Sequence, residues 1–288
     1  MDISMNKEKI QIGIPCGPNS ERYAKHLISS IERTLTGQYS IEYLIGVNHV
    51  LVNLPLLDEL LGEIKLKNDN TAHIIVDNNM ISVEQTQASN TWVSNAHGRC
   101  ADMLMHSMSH KYGMIVDSDC AFLMKDWDVE MVSAIDDKNI IIGSEYGHDD
   151  KKYMKNANVI VCLFDVNKMK EIKFSWQPEL EHITIDEENK HIYNRKVGET
   201  IFLDTGSRLP KKLYENGLSS KYMKLVSPRV SETASEIVFM TNEIRGEEYH
   251  LNGKPVATHL GRSSYRIFDG PDAKKWRKRV QEWLNNNI

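Results

Sequence analysis

The chain has 288 residues, 41% of them apolar and 26% charged, with 16 Gly and 8 Pro, a composition that excludes extended disorder and fits a soluble globular fold. Its net charge of −5 excludes a general nucleic-acid binder, because neutralising a phosphate backbone needs a concentrated basic surface. Cys16, Cys100, Cys120 and Cys162 stand far apart with no C-x-x-C pair, which excludes a structural zinc site or disulfide framework and fits a reducing cytoplasm.

Met1–Lys9 is polar and carries no apolar leader core, so a cytoplasmic location is expected. The compact apolar run Ile10–Ile14 predicts a first strand, stopped by Pro15-Cys16-Gly17-Pro18. Tyr23, Leu27, Ile31 and Leu35 recur every fourth residue and predict a helix, capped by Asn19 or Ser20 and ended by Gly37. Tyr43–Val47 and His73–Val76 repeat the strand signal. The apolar stretch Ile41–Leu66 is interrupted by Asn48, His49, Asn53, Asp58, Glu59 and Glu63, which is too polar for a membrane span.

Cys100, Met103, Leu104, Ser107 and Met108 share one helical face, so a helix over about Asn95–His110 should pack on the sheet. Met114–Val116 predicts the next central strand. Lys125-Asp126-Trp127-Asp128 opens another helix, with Asp126 and Asp128 read as capping or surface charges. Ile140–Ile142 and Val159–Phe164 are further strands, while polar Tyr146–Asn156 and acid-rich Pro178–Lys196 read as an insertion or loop over a site. Strands alternating with helices imply an α/β fold with a mainly parallel central sheet.

Asp117-Ser118-Asp119 stands directly behind Gly113-Met114-Ile115-Val116, so two carboxylates leave the carboxyl end of a buried strand, where open α/β sheets bind ligands. Hard oxygen ligands there suit Mg²⁺ or Mn²⁺, and such an ion can hold a diphosphate. The bland alternative is a helix cap or solvated turn.

Four features in order carry a family resemblance: Ile10–Pro15, Tyr43–Val47, His97-Gly98-Arg99 ahead of a helix, and Val116-Asp117-Ser118-Asp119. Over roughly residues 10–135 the chain resembles nucleotide-sugar glycosyltransferases of the GT-A fold, especially family 2. The resemblance implies a GT-A-like, Rossmann-like single domain over 1–288. Residues 10–135 would bind the donor, 136–270 would serve the acceptor and catalysis, and 271–288 would form an amphipathic helix. It implies transfer of a sugar from a nucleotide diphosphate sugar to a saccharide, lipid-linked or protein acceptor, with Mn²⁺ or Mg²⁺ as cofactor and no nucleic acid as partner.

The resemblance also implies roles. Asp117 and Asp119 would hold the metal, Asp117 also reaching the ribose, and His259 in Val256–Ser263 would complete the metal shell. Pro15, Asp77, Arg99 and Arg262 would line the nucleotide and its phosphates. The family's acid after the second strand is replaced here by Asn48-His49, which shifts that role to Asp77, and the Arg99–Asp117 spacing is longer than usual. Glu199–Gly206 resembles the segment that supplies the catalytic base of inverting members, with Asp204 the first choice and Glu199 the second. Either acid could instead cap the helix over Pro210–Asn216 or pair with Arg208.

In Ala273–Leu284, Trp276, Val280, Trp283 and Leu284 form an apolar stripe among Lys274, Lys275, Arg277, Lys278 and Arg279. The stripe can pack on its own domain, lie on a membrane surface or form a homodimer. Two competing functions are an inactive nucleotide-sugar-binding protein, motivated by Asn48, and a Mg²⁺-dependent phosphatase with Asp117 as nucleophile.

Overall fold

The computed structural model describes residues 7–67, 69–82, 90–145, 157–178, 182–193, 195–228, 233–241, 244, 246–261 and 268–288. The first half runs β1 (Lys9–Cys16), α1 (Glu21–Thr34), β2 (Ser40–His49), α2 (Leu54–Gly62), β3 (Thr71–Ile81), α3 (Asn90–Ser107), β4 (Tyr112–Val116), β5 (Cys120–Phe122) and α4 (Trp127–Ser133). The second half runs β6 (Asn139–Glu145), β7 (Ala157–Asp165), α5 (Val166–Glu171), β8 (His182–Thr184), β9 (Thr200–Phe202), α6 (Leu209–Glu215), β10 (Ser219–Val226), β11 (Glu247–Leu251), β12 (Lys254–His259) and α7 (Pro271–Asn287).

Ten of these strands form one sheet in the order β3-β2-β1-β4-β7-β6-β10-β11-β12-β5. The stretch β3-β2-β1-β4 is parallel throughout, β7 runs antiparallel between β4 and β6, and β6–β10 is parallel again. Strands β1 and β4 are buried on both faces, which is why they read as unbroken apolar runs. One face packs Ile10, Ile12 and Ile14 against Leu27, Ile28 and Ile31 of α1. The other packs Leu44 and Ile115 against Leu104 of α3 and Met108 just beyond its end. That second layer is tight: a Cβ on Gly46 would come within 2.7 Å of Cys100 Sγ, so only glycine lets α3 sit so close to β2.

The expected fold class stands, with local differences. Helix α3 starts at Asn90, so His97-Gly98-Arg99 lie inside it rather than ahead of it. Strand β3 continues to Ile81, which puts Asp77 within the strand rather than after it. Asp128 is fully buried, where it accepts from the Thr36 amide at 3.3 Å and the Thr36 hydroxyl at 2.6 Å, so it is not a surface charge. Asp126 occupies the cap position of α4 in a left-handed conformation, φ 67°, with no side-chain capping bond. Within 178–196 lies β8, which pairs with β9 beyond it as a separate two-stranded ribbon over a small core of Ile185, Tyr193 and Ile201. The polar stretch 146–156 lies outside the described residues.

Helix α7 turns its apolar stripe inward. Ala273, Trp276, Val280 and Leu284 pack with Tyr23, Leu123, Phe239 and Leu260, and Trp276 donates its indole N–H to Thr258 Oγ1 at 3.1 Å. Burying Trp276, Val280 and Leu284 contributes roughly 5–8 kcal/mol together. The membrane-surface and dimer readings of this helix therefore lack the free apolar face they need. Among the described residues no helix is long and apolar enough to cross a membrane.

Candidate active site and metal centre

Three chain segments converge where β4 ends. The Asp117 amide continues the β4–β7 ladder by donating to Ile160 O at 2.9 Å, and the Cys120 amide closes a turn back to Asp117 O at 3.1 Å. Strand β5 then pairs with β12 so that Cys120 faces His259, and the Leu260 amide donates to Asp119 O at 3.0 Å. This pairing puts His259 Nε2 3.3 Å from Asp119 Oδ1 and 3.9 Å from Asp117 Oδ2. One ligand atom from each of Asp117, Asp119 and His259 lies within 4.8 Å of the others.

Strand β11 adds a residue that the sequence reading did not single out. Glu247 pairs in register with His259, and its Oε2 lies 3.2 Å from His259 Nδ1. The Tyr249 hydroxyl donates to the same oxygen at 2.5 Å. Glu247 thus holds the Nδ1 side of the ring, leaving Nε2 toward the aspartates. The signal was present in Asn252-Gly253, a strong hairpin turn, from which counting outward through one bulge pairs Glu247 with His259.

His97 is the second addition. Its Nε2 stands 3.0 Å from Asp117 Oδ1 and its Nδ1 3.3 Å from Thr205 Oγ1. The first is a close charge contact, and Asp117 Oδ1 is buried with no other partner among the described residues. Thr205 donates its hydroxyl to Ser94 O at 3.0 Å, and Ser94 donates to Asp204 Oδ1 at 2.5 Å. The same Asp204 oxygen accepts from the Thr205 amide at 2.8 Å. Ser94, His97 and Thr205 therefore link Asp204 to the strand-end aspartates.

The electrostatics follow from this crowding of acids. Burial pulls the His259 pKa down, but Asp119 and Glu247 together outweigh it and hold the ring well above its ordinary value. Burial likewise opposes protonation of His97, and Asp117, Asp204 and Asp119 reverse the direction. The protons on these rings offset carboxylate charge that a cation could offset instead. Two carboxylates with one imidazole match the donor preferences of Mn²⁺ and are compatible with Mg²⁺, and Asp117 Oδ1, touched only by the His97 ring among the described residues, is an oxygen suited to a cation partner. Burial, the largest cause, pushes the Cys120 thiol well up, and Cys100 to about 12, so neither supplies a thiolate ligand or nucleophile.

The other expected residues sit elsewhere. Asp77 and Arg99 pair with each other at 2.8 Å across the β3–α3 seam, and Arg99 also donates to Asn79 O at 2.9 Å. Asn48 donates its side-chain amide to Ala96 O at 2.6 Å, so the position where the family carries an acid ties β2 to α3. Pro15 is buried near the end of β1, level with Gly46 of β2. Glu199 accepts from the Lys196 amide at 3.2 Å, within the β8–β9 turn. Arg262 lies outside the described residues.

No family model and no curated protein matches the sequence. Among solved structures, the galactosyltransferase LgtC in complex with donor and acceptor sugar analogs aligns with a TM-score of 0.53 at 13% identity, over 96% of this chain and 95% of that one. The mannosyltransferase PcManGT from Pyrobaculum calidifontis, in complex with GDP-Man and Mn²⁺, gives 0.47 at 7% identity over 76% of this chain. The bifunctional glycosyltransferase WbbM gives 0.43 at 11% over 76%. The chain spans 55% of the length of PcManGT and 39% of WbbM. The fold is thus the GT-A type found in solved glycosyltransferases.

Proposed function

We propose that the protein is a metal-dependent glycosyltransferase that moves a sugar from a nucleoside diphosphate sugar to an acceptor hydroxyl. The observation that carries this reading is the convergence of Asp117, Asp119 and His259 at the strand ends of a GT-A sheet, with a buried Asp117 oxygen whose one close partner among the described residues is the His97 ring. When bound there, Mn²⁺ or Mg²⁺ would neutralise the charge that grows on the departing diphosphate.

The chain's own residues do the rest. Asp117, Asp119 and His259 Nε2 hold the cation, and Glu247 with Tyr249 fixes the His259 ring so that Nε2 faces it. Ser94 and the Thr205 amide orient Asp204, which takes the proton of the acceptor hydroxyl as that oxygen attacks the anomeric carbon, giving inversion. His97 sits between the two groups and keeps their carboxylates apart in charge. Glu199, held by its own turn, is the weaker choice of base.

The test is nucleoside diphosphate release from a panel of sugar donors, with Mn²⁺ or Mg²⁺, with chelator, and in Asp119→Ala. Turnover that survives chelator and the substitution rejects the metal role. The product anomer, read by proton NMR, tests Asp204 separately: retention of configuration removes its role as base and leaves the metal site intact.

A further inference from the structure

Away from the strand ends, a cleft of about 610 Å³ opens between the β8–β9 ribbon and α6. Its size falls within the roughly 300–1,000 Å³ of small-ligand sites. Three cationic residues line it, Arg208, Lys211 and Lys212, together with His182, against two acids, Asp186 and Glu215. Both acids are engaged locally. Asp186 accepts from the Asn189 amide at 2.8 Å in its own turn, and Glu215 pairs with Lys211 at 4.0 Å. Lys212 is half-buried and makes no ion pair among the described residues. With Lys211 paired to Glu215, Arg208 and Lys212 outnumber Asp186, and in an acidic chain of net charge −5 this small positive surplus can draw an anion.

The walls are apolar and aromatic. Ile183, Leu203 and Tyr193 line the cleft beside the cations. Burial pushes the Tyr193 phenol up, with the Arg208 guanidinium opposing and the Glu215 carboxylate adding to the rise. The next residue after Leu203 is Asp204, which Ser94 and the Thr205 amide hold beside His97. The cleft wall thus ends, at Leu203, on the segment that carries the candidate base.

We propose that this cleft binds the anionic end of a saccharide acceptor, a uronate carboxylate or a sugar phosphate, an assignment that rests on the glycosyltransferase reading. A guanidinium presents a planar fork that matches either oxyanion, a half-buried ammonium adds a point charge, and Ile183 with Leu203 takes the apolar face of the sugar ring.

Calorimetric titration of the full chain tests it with four probes: a glucuronate-ended disaccharide, a hexose 6-phosphate, a neutral disaccharide and inorganic phosphate. One anionic sugar is expected to bind at least about tenfold more tightly than the neutral one, and its identity separates carboxylate from phosphate recognition. The double variant Lys211→Ala/Lys212→Ala, and Lys212→Gln alone as the milder change, should lose that margin, while Lys274→Glu on exposed α7 keeps it. Melting curves establish that each variant is folded. Equal binding of neutral and anionic sugars, tightest binding by bare phosphate, or a margin that survives both substitutions overturns the proposal. Because these are binding measurements, their failure is distinct from an absence of nucleotide release, which would instead remove the transferase reading.

Discussion

Gly98→Ala should loosen the site although alanine favours helices. A Cβ at position 98 would stand 2.8 Å from Gln177 Cα, 2.8 Å from Trp176 O and 3.0 Å from Gln177 N. All three are backbone atoms, and ordinary carbon contacts need about 3.5–4.0 Å, so segment 175–177 must retreat by roughly 0.5–1 Å. That segment is clamped. Asp102 Oδ1 accepts the Trp176 amide at 2.7 Å and Oδ2 accepts Ser175 Oγ at 2.7 Å, while Trp176 O takes the Gly206 amide at 2.8 Å. The helix gains about 1 kcal/mol from alanine, overpacking costs about 1–3 kcal/mol, and each stretched bond to the Asp102 carboxylate adds to the loss. The net expectation is a loss of about 1–3 kcal/mol in urea denaturation. His97 and the 204–206 turn lie on either side of the contact, so a 1 Å displacement should lower nucleotide release by about 100-fold. A variant more stable by about 1 kcal/mol with unchanged turnover would show that the helix and the 175–177 backbone do not touch as described.

Glu247→Gln should weaken Mn²⁺ binding about 10–100-fold in a titration followed by electron paramagnetic resonance, because it removes the carboxylate that orients His259; an unchanged dissociation constant refutes that role. In the wild type the same affinity should fall as pH falls, since His259 must release a proton to bind and its neighbouring acids hold that proton well above the ordinary pKa. Burial, then Arg277, lowers His26 to about 4, and its Nε2 is covered without a hydrogen bond among the described residues although the ring as a whole is only half-buried. Between pH 6.5 and 4 the unfolded chain therefore binds a proton that the folded chain refuses, so this residue removes up to about 3 kcal/mol of stability as pH falls through that window. His26→Gln should flatten that slope in denaturation curves taken at pH 7 and pH 4.5, and an unaltered slope would assign the effect elsewhere. Asp128→Ala removes a buried carboxylate's two bonds to exposed Thr36 and should cost about 1–2 kcal/mol, visible as a lower melting temperature; a surface carboxylate would leave it unchanged.

What the chain reveals about itself depends on whether the information is local. Strands β1, β2 and β4 are legible because burial on both faces demands unbroken apolar runs, and Asp117-Ser118-Asp119 is legible because its meaning lies in the strand immediately before it. Strand β3 alternates between exposed and half-buried positions at the sheet edge, so a search for apolar runs stops at Val76 and misplaces Asp77 in a loop. The Asp77–Arg99 ion pair is likewise hidden in the sequence, because only the packing of α3 beside β3 makes each the other's counter-charge. His259 and Glu247 stand between these cases. The Asn252-Gly253 turn makes their pairing a short-range event, but the bulge between Tyr249 and His250 shifts the count by one, and without it Glu247 would face away from His259. The single extra residue in β12, Val256, therefore decides which of two adjacent glutamates serves the site. The other, Glu248, is fully buried and holds the amides of Val238, Phe239 and Met240. Two neighbouring acids of identical composition thus divide into one that orients a ligand and one that anchors a loop, and the division is made by strand register.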